Sequence, residues 1–256
     1  MVGLFKKCAF LFLAMMMMAF YSCKPDPDQD LPVIGIPSWN LPEGAFFQND
    51  TLFIEAGSDL NMSVDLSDDD ALNQYRLNLS PLDVESFHPD QSNFVQQEIV
   101  SLNGTSASLN FQTNLSELLR GTWDFDLSLL DESGKQALPL TQLIEVVNTQ
   151  LPTVRIDSIS GNPSLQNISL SAGNTFNLYG ELNSELNLDY LEVNFFQAGN
   201  NVGSSNYFLS ATSMDLVEIG PISLPSDVLG ALSMHLTFYN SSSLPLRCVF
   251  ELSVVE

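Results

Sequence analysis

Cations are the scarcest component of this sequence: 8 Lys and Arg stand against 31 Asp and Glu in 256 residues, a formal charge of −23. That balance excludes nucleic acid as a partner, because phosphate backbones are held by clustered Lys and Arg that release counterions, and no such cluster is present. Cysteine is nearly missing as well, with only Cys8, Cys23 and Cys248. Histidine is reduced to His88 and His235, neither with a second His or Cys at ligand spacing, which removes zinc sites and Ser-His-Asp chemistry from consideration. Helical periodicity is absent, apart from single turns expected at residues 115–119 and 226–229. No apolar run reaches the roughly 20 residues that a membrane-crossing helix requires. What is present is enough apolar material to build real cores, 45% hydrophobic with 10% aromatic residues, so this is not a disordered acidic tail.

The longest apolar run lies at the start. Lys6 and Lys7 precede 14 uninterrupted apolar or aromatic residues, Cys8 to Tyr21, and then Ser22 and Cys23. A short apolar stretch behind a basic start reads as the hydrophobic region of a secretion signal, residues 1–22, removed on export. Loss of its two lysines takes the formal charge from −23 to −25. Lys24-Pro25-Asp26-Pro27-Asp28-Gln29-Asp30 follows, proline-containing and acidic, and residues 23–30 should form an extended tether and no helix or sheet.

From residue 31 onward the sequence is written twice. Leu31-Pro32-Val33-Ile34-Gly35-Ile36 returns as Leu151-Pro152-Thr153-Val154-Arg155-Ile156. Ala56-Gly57 returns as Ala172-Gly173; Tyr75, Leu77 and Leu79 answer to Tyr190, Val193 and Phe195; Gly121 aligns with Gly230. Two tandem units, 31–148 and 151–256, follow from this spacing. Within each unit the period is two. Trp123, Phe125, Leu127 and Leu129 alternate with Thr122, Asp124, Asp126 and Ser128, as Leu232, Met234, Leu236 and Phe238 alternate with Ser233, His235, Thr237 and Tyr239. Turn-forming clusters such as Asp131-Glu132-Ser133-Gly134 separate the runs. The expectation is all-β: two tandem antiparallel β-sandwiches standing on hydrophobic burial alone, since Cys248 has no partner in a mature chain. Cys248 shares its alternation face with Leu246, Phe250 and Leu252, so it is expected to be a buried inert thiol with no histidine arranged beside it.

Phe20-Tyr21-Ser22-Cys23, a small residue directly before a cysteine at the end of the apolar run, resembles the lipobox of bacterial lipoproteins. The acidic run after Cys23 resembles the export signals of Bacteroidetes surface lipoproteins. The resemblance implies that Cys23 is the acylated first residue of the mature chain and that the protein is lipid-anchored at the outer membrane, on the cell surface, with periplasm-facing anchoring as the alternative. The stretch 121–134, a Gly-x-aromatic-x-apolar strand before an Asp-x-x-Gly turn, resembles the penultimate strand of bacterial immunoglobulin-like domains, with a last strand at 140–147. More narrowly, the chain resembles tandem immunoglobulin-like lipoproteins of Bacteroidetes such as the DUF4625 group. The histidine-rich segment of that group is replaced here by Phe87-His88-Pro89-Asp90, and no activity comes over with the likeness.

Two sets of residues merit attention as sites. Asp65, Asp68, Asp69 and Asp70 gather at the end of an expected strand, and carboxylates in such a loop can supply the oxygens that Ca²⁺ takes, although the second unit has only Asn183-Ser184-Glu185 there. Trp39, Phe46 and Phe47 lie in irregular sequence, where an exposed ring could stack on a sugar or pack on a partner. Trp123 belongs to the core face. The 31 acids offer no recognisable catalytic pair, so the expected role is non-enzymatic: binding or spacing at the cell envelope, toward an envelope protein, a host surface or a glycan. A calcium-stiffened adhesion module and an accessory glycan-binding lipoprotein of a polysaccharide-uptake system are the alternatives.

Overall fold

In the sequence, every second residue of the long runs is apolar, and in the structure those residues close two interiors. The computed structural model describes residues 30–85 and 87–256, so Cys23 and the leader lie outside the described residues. The chain is 58% strand and 4% helix. The first sandwich is built from β1 (Val33–Ile34), β2 (Ser38–Asn40), β3 (Phe46–Gln48), β4 (Thr51–Glu55), β5 (Asp59–Ser67), β6 (Leu72–Pro81), the one-turn helix α1 (Pro89–Ser92), β7 (Gln96–Ser101), β8 (Ser106–Asn114), β9 (Gly121–Asp131) and β10 (Leu140–Val147). One sheet sets β5 between β8 and the broken edge β1/β2; the other runs β3-β4-β10-β9-β6-β7. All pairings are antiparallel except β4 with β10.

The second sandwich repeats this plan with β11 (Thr153–Ile159), β12 (Ile168–Ser171), β13 (Thr175–Phe176), β14 (Leu178–Asn183), β15 (Leu188–Gln197), β16 (Asn200–Phe208), β17 (Ser213–Asp215), a 3-10 turn (Leu216–Ile219), β18 (Ile222–Ser223), β19 (Gly230–Asn240) and β20 (Leu246–Val255). Its sheets run β11-β14-β17 and β12-β20-β19-β15-β16, and β12 pairs β20 in parallel just as β4 pairs β10. The residues that announced the duplication occupy equivalent places. Gly121 and Gly230 open β9 and β19 with φ of 106° and 93°, where a side chain would be strained. The Ala56 and Ala172 amides each donate to the last strand, on Val147 and Val255. One match moves by a residue: β6 and β15 each carry a bulge after Leu72 and Leu188, and the register then sets Tyr75 opposite Leu129 and Leu191 opposite Phe238. Tyr75 therefore answers to Leu191 and not to Tyr190, since the bulge is common to both strands and the pairings on the long central strand fix the match.

Each interior is a separate apolar cluster. Leu60, Met62, Val64 and Leu66 of β5 face Trp123, Phe125, Leu127 and Leu129 of β9 in the first, and Leu232, Met234, Leu236 and Phe238 of β19 anchor the second. Residues 115–119 and 226–229 form turns without a helical residue, which corrects the expectation of single helical turns there; the short helix and the 3-10 turn fall elsewhere. Pro89 opens α1, its fixed φ suiting a first helical position.

The two clusters are joined by one intruder. Between β6 and β7 the first sandwich sends out a loop whose Phe87 is buried in the second core, stacked on Phe250 with ring centroids 5.2 Å apart. The Phe87 carbonyl accepts from the Val249 amide at 2.7 Å, on the part of β20 ahead of its pairing with β12. Asp90 closes the loop with an ion pair to Arg247 Nη2 at 2.6 Å. His88 Nδ1 lies 3.6 Å from Cys248 Sγ, which corrects the expectation that Cys248 has no histidine beside it. The two are 160 residues apart in sequence and meet only because the loop crosses from one sandwich to the other. They do not make a nucleophile. Burial pushes the thiol up, and burial, with repulsion from Arg120, holds the imidazole down at about 4, so both partners stay neutral. On the other flank, Arg120 donates to the Leu151 and Pro152 carbonyls at 2.9 and 2.8 Å. Asn148 donates to the Glu117 and Leu119 carbonyls, and Asn240 to that of Gln150.

Two outcomes follow. Gly180, with φ of 142°, sits where a Cβ would come within 1.9 Å of the Arg155 carbonyl oxygen; Gly180→Ala is expected to lower the unfolding free energy by about 1–3 kcal/mol in urea titrations. For His88, the unfolded chain takes up a proton near pH 6.5 and the folded chain near pH 4. The contribution of neutral His88 is thus complete above pH 6.5 and is lost as pH falls toward 4, by about 3 kcal/mol in all. Wild type should lose stability relative to His88→Gln across that window and run parallel to it above pH 7; parallel curves throughout would show that His88 is not the titrating group.

Candidate functional site

The β3–β4 hairpin presents the aromatic residues singled out in the sequence. Its two-residue turn, Asn49 and Asp50, has φ of 48° and 61°, the double left-handed conformation that matches strand twist and that Asn and Asp tolerate. The hairpin sets β3 at the outer edge of its sheet. Registers Phe46↔Phe53 and Phe47↔Leu52 then send the two phenylalanines to opposite faces. Phe46 lies on the outer face, stacked on Phe53 with centroids 5.1 Å apart and planes 8° from parallel. Phe47 turns toward the inner face, edge-on to Trp39 at 6.5 Å. Trp39 in turn meets the core ring Phe125 edge-on at 5.4 Å.

The structure therefore divides the three candidates. Trp39 packs on the first core and is half-buried, while Phe46 and Phe47 are 51% and 47% exposed. Leu143, on the same outer face as Phe53 and 40% exposed, extends the strip. Phe53 is the participant that the sequence reading missed. In an alternating strand it falls on the face opposite Leu52 and Ile54, and only the hairpin register brings it under Phe46.

The four aspartates do not converge. Asp65 points outward from β5 and accepts from Ser108 Oγ at 2.7 Å. The Asp68 and Asp70 side chains accept from the amides of Asp69 and Ala71, the usual work of aspartate in a tight turn. Among the described residues, no three His, Cys, Asp or Glu side chains gather as a metal site. His235 stacks against Phe196 at 4.6 Å and contacts Ser233, with burial lowering its pKa. Trp123 is fully buried, as its alternation face requires.

A second concavity lies at the joint, a groove of about 570 Å³ lined by Arg120, Glu145, Asn183, Glu185, Thr212 and Ser213 among others. Its polar groups are largely engaged within the protein: Arg120 holds two carbonyls, Glu145 accepts from Thr122 at 2.7 Å, and Asn183 accepts from Ser213 at 2.6 Å. Burial draws the Arg120 guanidinium below its ordinary range. The groove seals the joint and offers little to a ligand, whereas the aromatic strip has ring surface left to contribute.

No family model and no curated protein matches the chain. Among solved structures, it is similar to the fibronectin(III)-like modules of Clostridium thermocellum CbhA, at 12% identity over 86% of this chain and 94% of that one, with a TM-score of 0.26. It is also similar to the Bacteroides ovatus mixed-linkage glucan utilization locus SGBP-B, whose structure is a complex with a mixed-linkage heptasaccharide, at 16% identity over 89% of this chain and 48% of that one, TM-score 0.36. A third likeness is to dimeric latent PorU from Porphyromonas gingivalis, at 12% identity over 88% of this chain and 24% of that one, TM-score 0.32. The chain spans less than half the length of the last two. The architecture, as the strands themselves show it, is all-β with sheets packed as sandwiches, and at these identities and TM-scores nothing about family, ligand or activity follows.

Proposed function

We propose that the chain is a non-enzymatic, lipid-anchored protein of the cell envelope that holds a binding edge away from the outer membrane, on the cell surface. The observation that carries this reading is the half-exposed Phe46, stacked on Phe53 at an uncovered sheet edge with Phe47 beside it. Rings left in water at an edge gain by being covered, by about 25 cal/mol for each Å² of apolar surface removed from solvent. The interlocked joint supports the spacing half of the role. Phe87, Asp90, Arg120 and Asn148 oppose hinge motion between the sandwiches, so the second sandwich is held in a set relation to the first. The parallel Phe46–Phe53 stack also favours one particular kind of ligand, a glycan, since a flat exposed ring face is what a sugar face packs on.

The anchor and the edge are tested separately. Cys23→Ser should release the protein from the membrane fraction into the soluble one, and mass spectrometry of the native amino terminus should find acyl chains on Cys23; an unacylated terminus would remove the anchor. Phe46→Ala should weaken binding to a responding glycan, identified on an array, by at least about tenfold while leaving the melting temperature within a few degrees. A flat array would turn the reading toward a protein partner, sought by crosslinking on intact cells with Phe46→Ala as the control.

A further inference from the structure

The second sandwich carries an aromatic surface of its own, on the outer face of the sheet β12-β20-β19-β15-β16. Alternation buries Leu191, Val193 and Phe195 of β15 and turns Tyr190, Glu192, Asn194 and Phe196 outward. Register then sets Phe208 of β16 and Tyr239 of β19 on either side of Tyr190, so aromatic side chains from three strands form one row. Tyr190 and Tyr239 stack with centroids 4.4 Å apart and planes 19° from parallel. The Tyr239 hydroxyl bonds to Tyr190 and Glu192, which fixes the pair. Phe208, on the edge strand, is 92% exposed, so nearly its whole ring stands in water.

A second aromatic station lies on the same face. Phe196 is further along β15 from Tyr190, by roughly 20 Å at about 3.4 Å per residue. Its ring meets the His235 imidazole at 4.6 Å, and the two line a hollow of about 410 Å³ together with Ser233 and Glu251. Between the stations the registers set Asn206, Glu192 and Thr237 in one row and Ser204, Asn194 and His235 in the next.

The chemistry of this face selects its ligand. Among the described residues, Arg247 is the one Lys or Arg on the five strands, and Asp90 already pairs with it. An anionic polymer would therefore meet Glu192 and Glu251 with little to hold it. Protein interfaces gather apolar side chains at a core depleted of charge. Here ring stations alternate instead with amide, hydroxyl and carboxylate side chains, as suits a chain whose every unit offers an apolar C–H face and a rim of hydroxyls. The C–H edges pack on the negative faces of the rings, and the polar side chains take the hydroxyls.

We propose that this face binds a neutral polysaccharide laid along β15 and β19. Phe208 and the Tyr190–Tyr239 pair stack on one part of the chain, Phe196 and His235 on another, and Glu192, Asn194 and Asn206 bond to hydroxyls between them. The face shares its ligand class with the glycan reading of the Phe46 edge and none of its residues, so the two stand or fall separately.

The test is affinity electrophoresis of the purified full chain in gels cast with graded amounts of a soluble β-glucan, xylan, galactomannan or starch, with polygalacturonate as the anionic control. At least one neutral polymer should retard the chain, and polygalacturonate should not. Phe208→Ala should weaken that binding by about tenfold or more and leave Tm within a few degrees of wild type, because the ring is exposed. Tyr190→Ala should weaken it as much by dismantling the stack. Loss in Phe208→Ala with binding kept in Phe46→Ala would support this face and remove the Phe46 edge. Loss in Phe46→Ala with wild-type binding in Phe208→Ala would overturn this face and leave the edge. No retardation by any neutral polymer would also overturn it. So would sedimentation showing a dimer that Phe208→Ala converts to monomer, because a second copy would then cover the rings.

Discussion

Burial of every second side chain is the constraint on which the whole structure rests. Cys248, the cysteine among the described residues, is free, so no covalent cross-link is available to either sandwich. Each interior must be held by apolar contact, at roughly 1.5–3 kcal/mol for each fully buried large side chain. The strands β9 and β19 show the rule: their inward positions are fully or almost fully buried, while their outward positions carry mostly Asp, Ser, Thr and His, with Leu130, Ala231 and Tyr239 among them. An acidic surface is compatible with this because the carboxylates, buried Asp131 apart, lie on the outward positions or in turns, where water screens their repulsion.

The joint applies the same rule between sandwiches. A tandem pair joined by five residues, 148–152, could hinge freely, and here it does not need to. Phe87 removes its ring from water by entering the core of its neighbour, and the loop that carries it supplies a backbone bond and an ion pair to β20. The stretch of β20 ahead of β12 is thereby covered, which also protects a sheet edge that would otherwise be open to pairing with other chains. Arg120 and Asn240 donate to the Leu151, Pro152 and Gln150 carbonyls of the connection, and Asn148 Oδ1 accepts from the Gln150 and Leu151 amides, so the polar groups of the crossing find partners within the protein.

Duplication followed by local divergence explains where the two halves differ in kind. Both keep the glycine that opens the long strand and the Ala-Gly turn, because those backbone conformations admit few substitutes. They diverge where side chains face solvent or the chain entry, as in Asp131 against Asn240 and Asp68 against Ser184. The first sandwich alone carries the β3–β4 hairpin with its aromatic strip and the long β6–β7 excursion.

The period of two, the repeat, the turn glycines and the last strand at 140–147 were all legible in the amino-acid order, since alternation and turn chemistry are local properties. Tertiary structure decided everything that depends on which distant segments meet. Pairing with the long central strand set Leu191, and not Tyr190, in the place of Tyr75; the β6–β7 loop brought His88 to Cys248; hairpin register put Phe53 beneath Phe46 and divided Trp39 from Phe46. Sequence encodes which face a side chain takes, by parity, but the neighbour across the interior is set by packing, and chemistry between side chains begins with the neighbour.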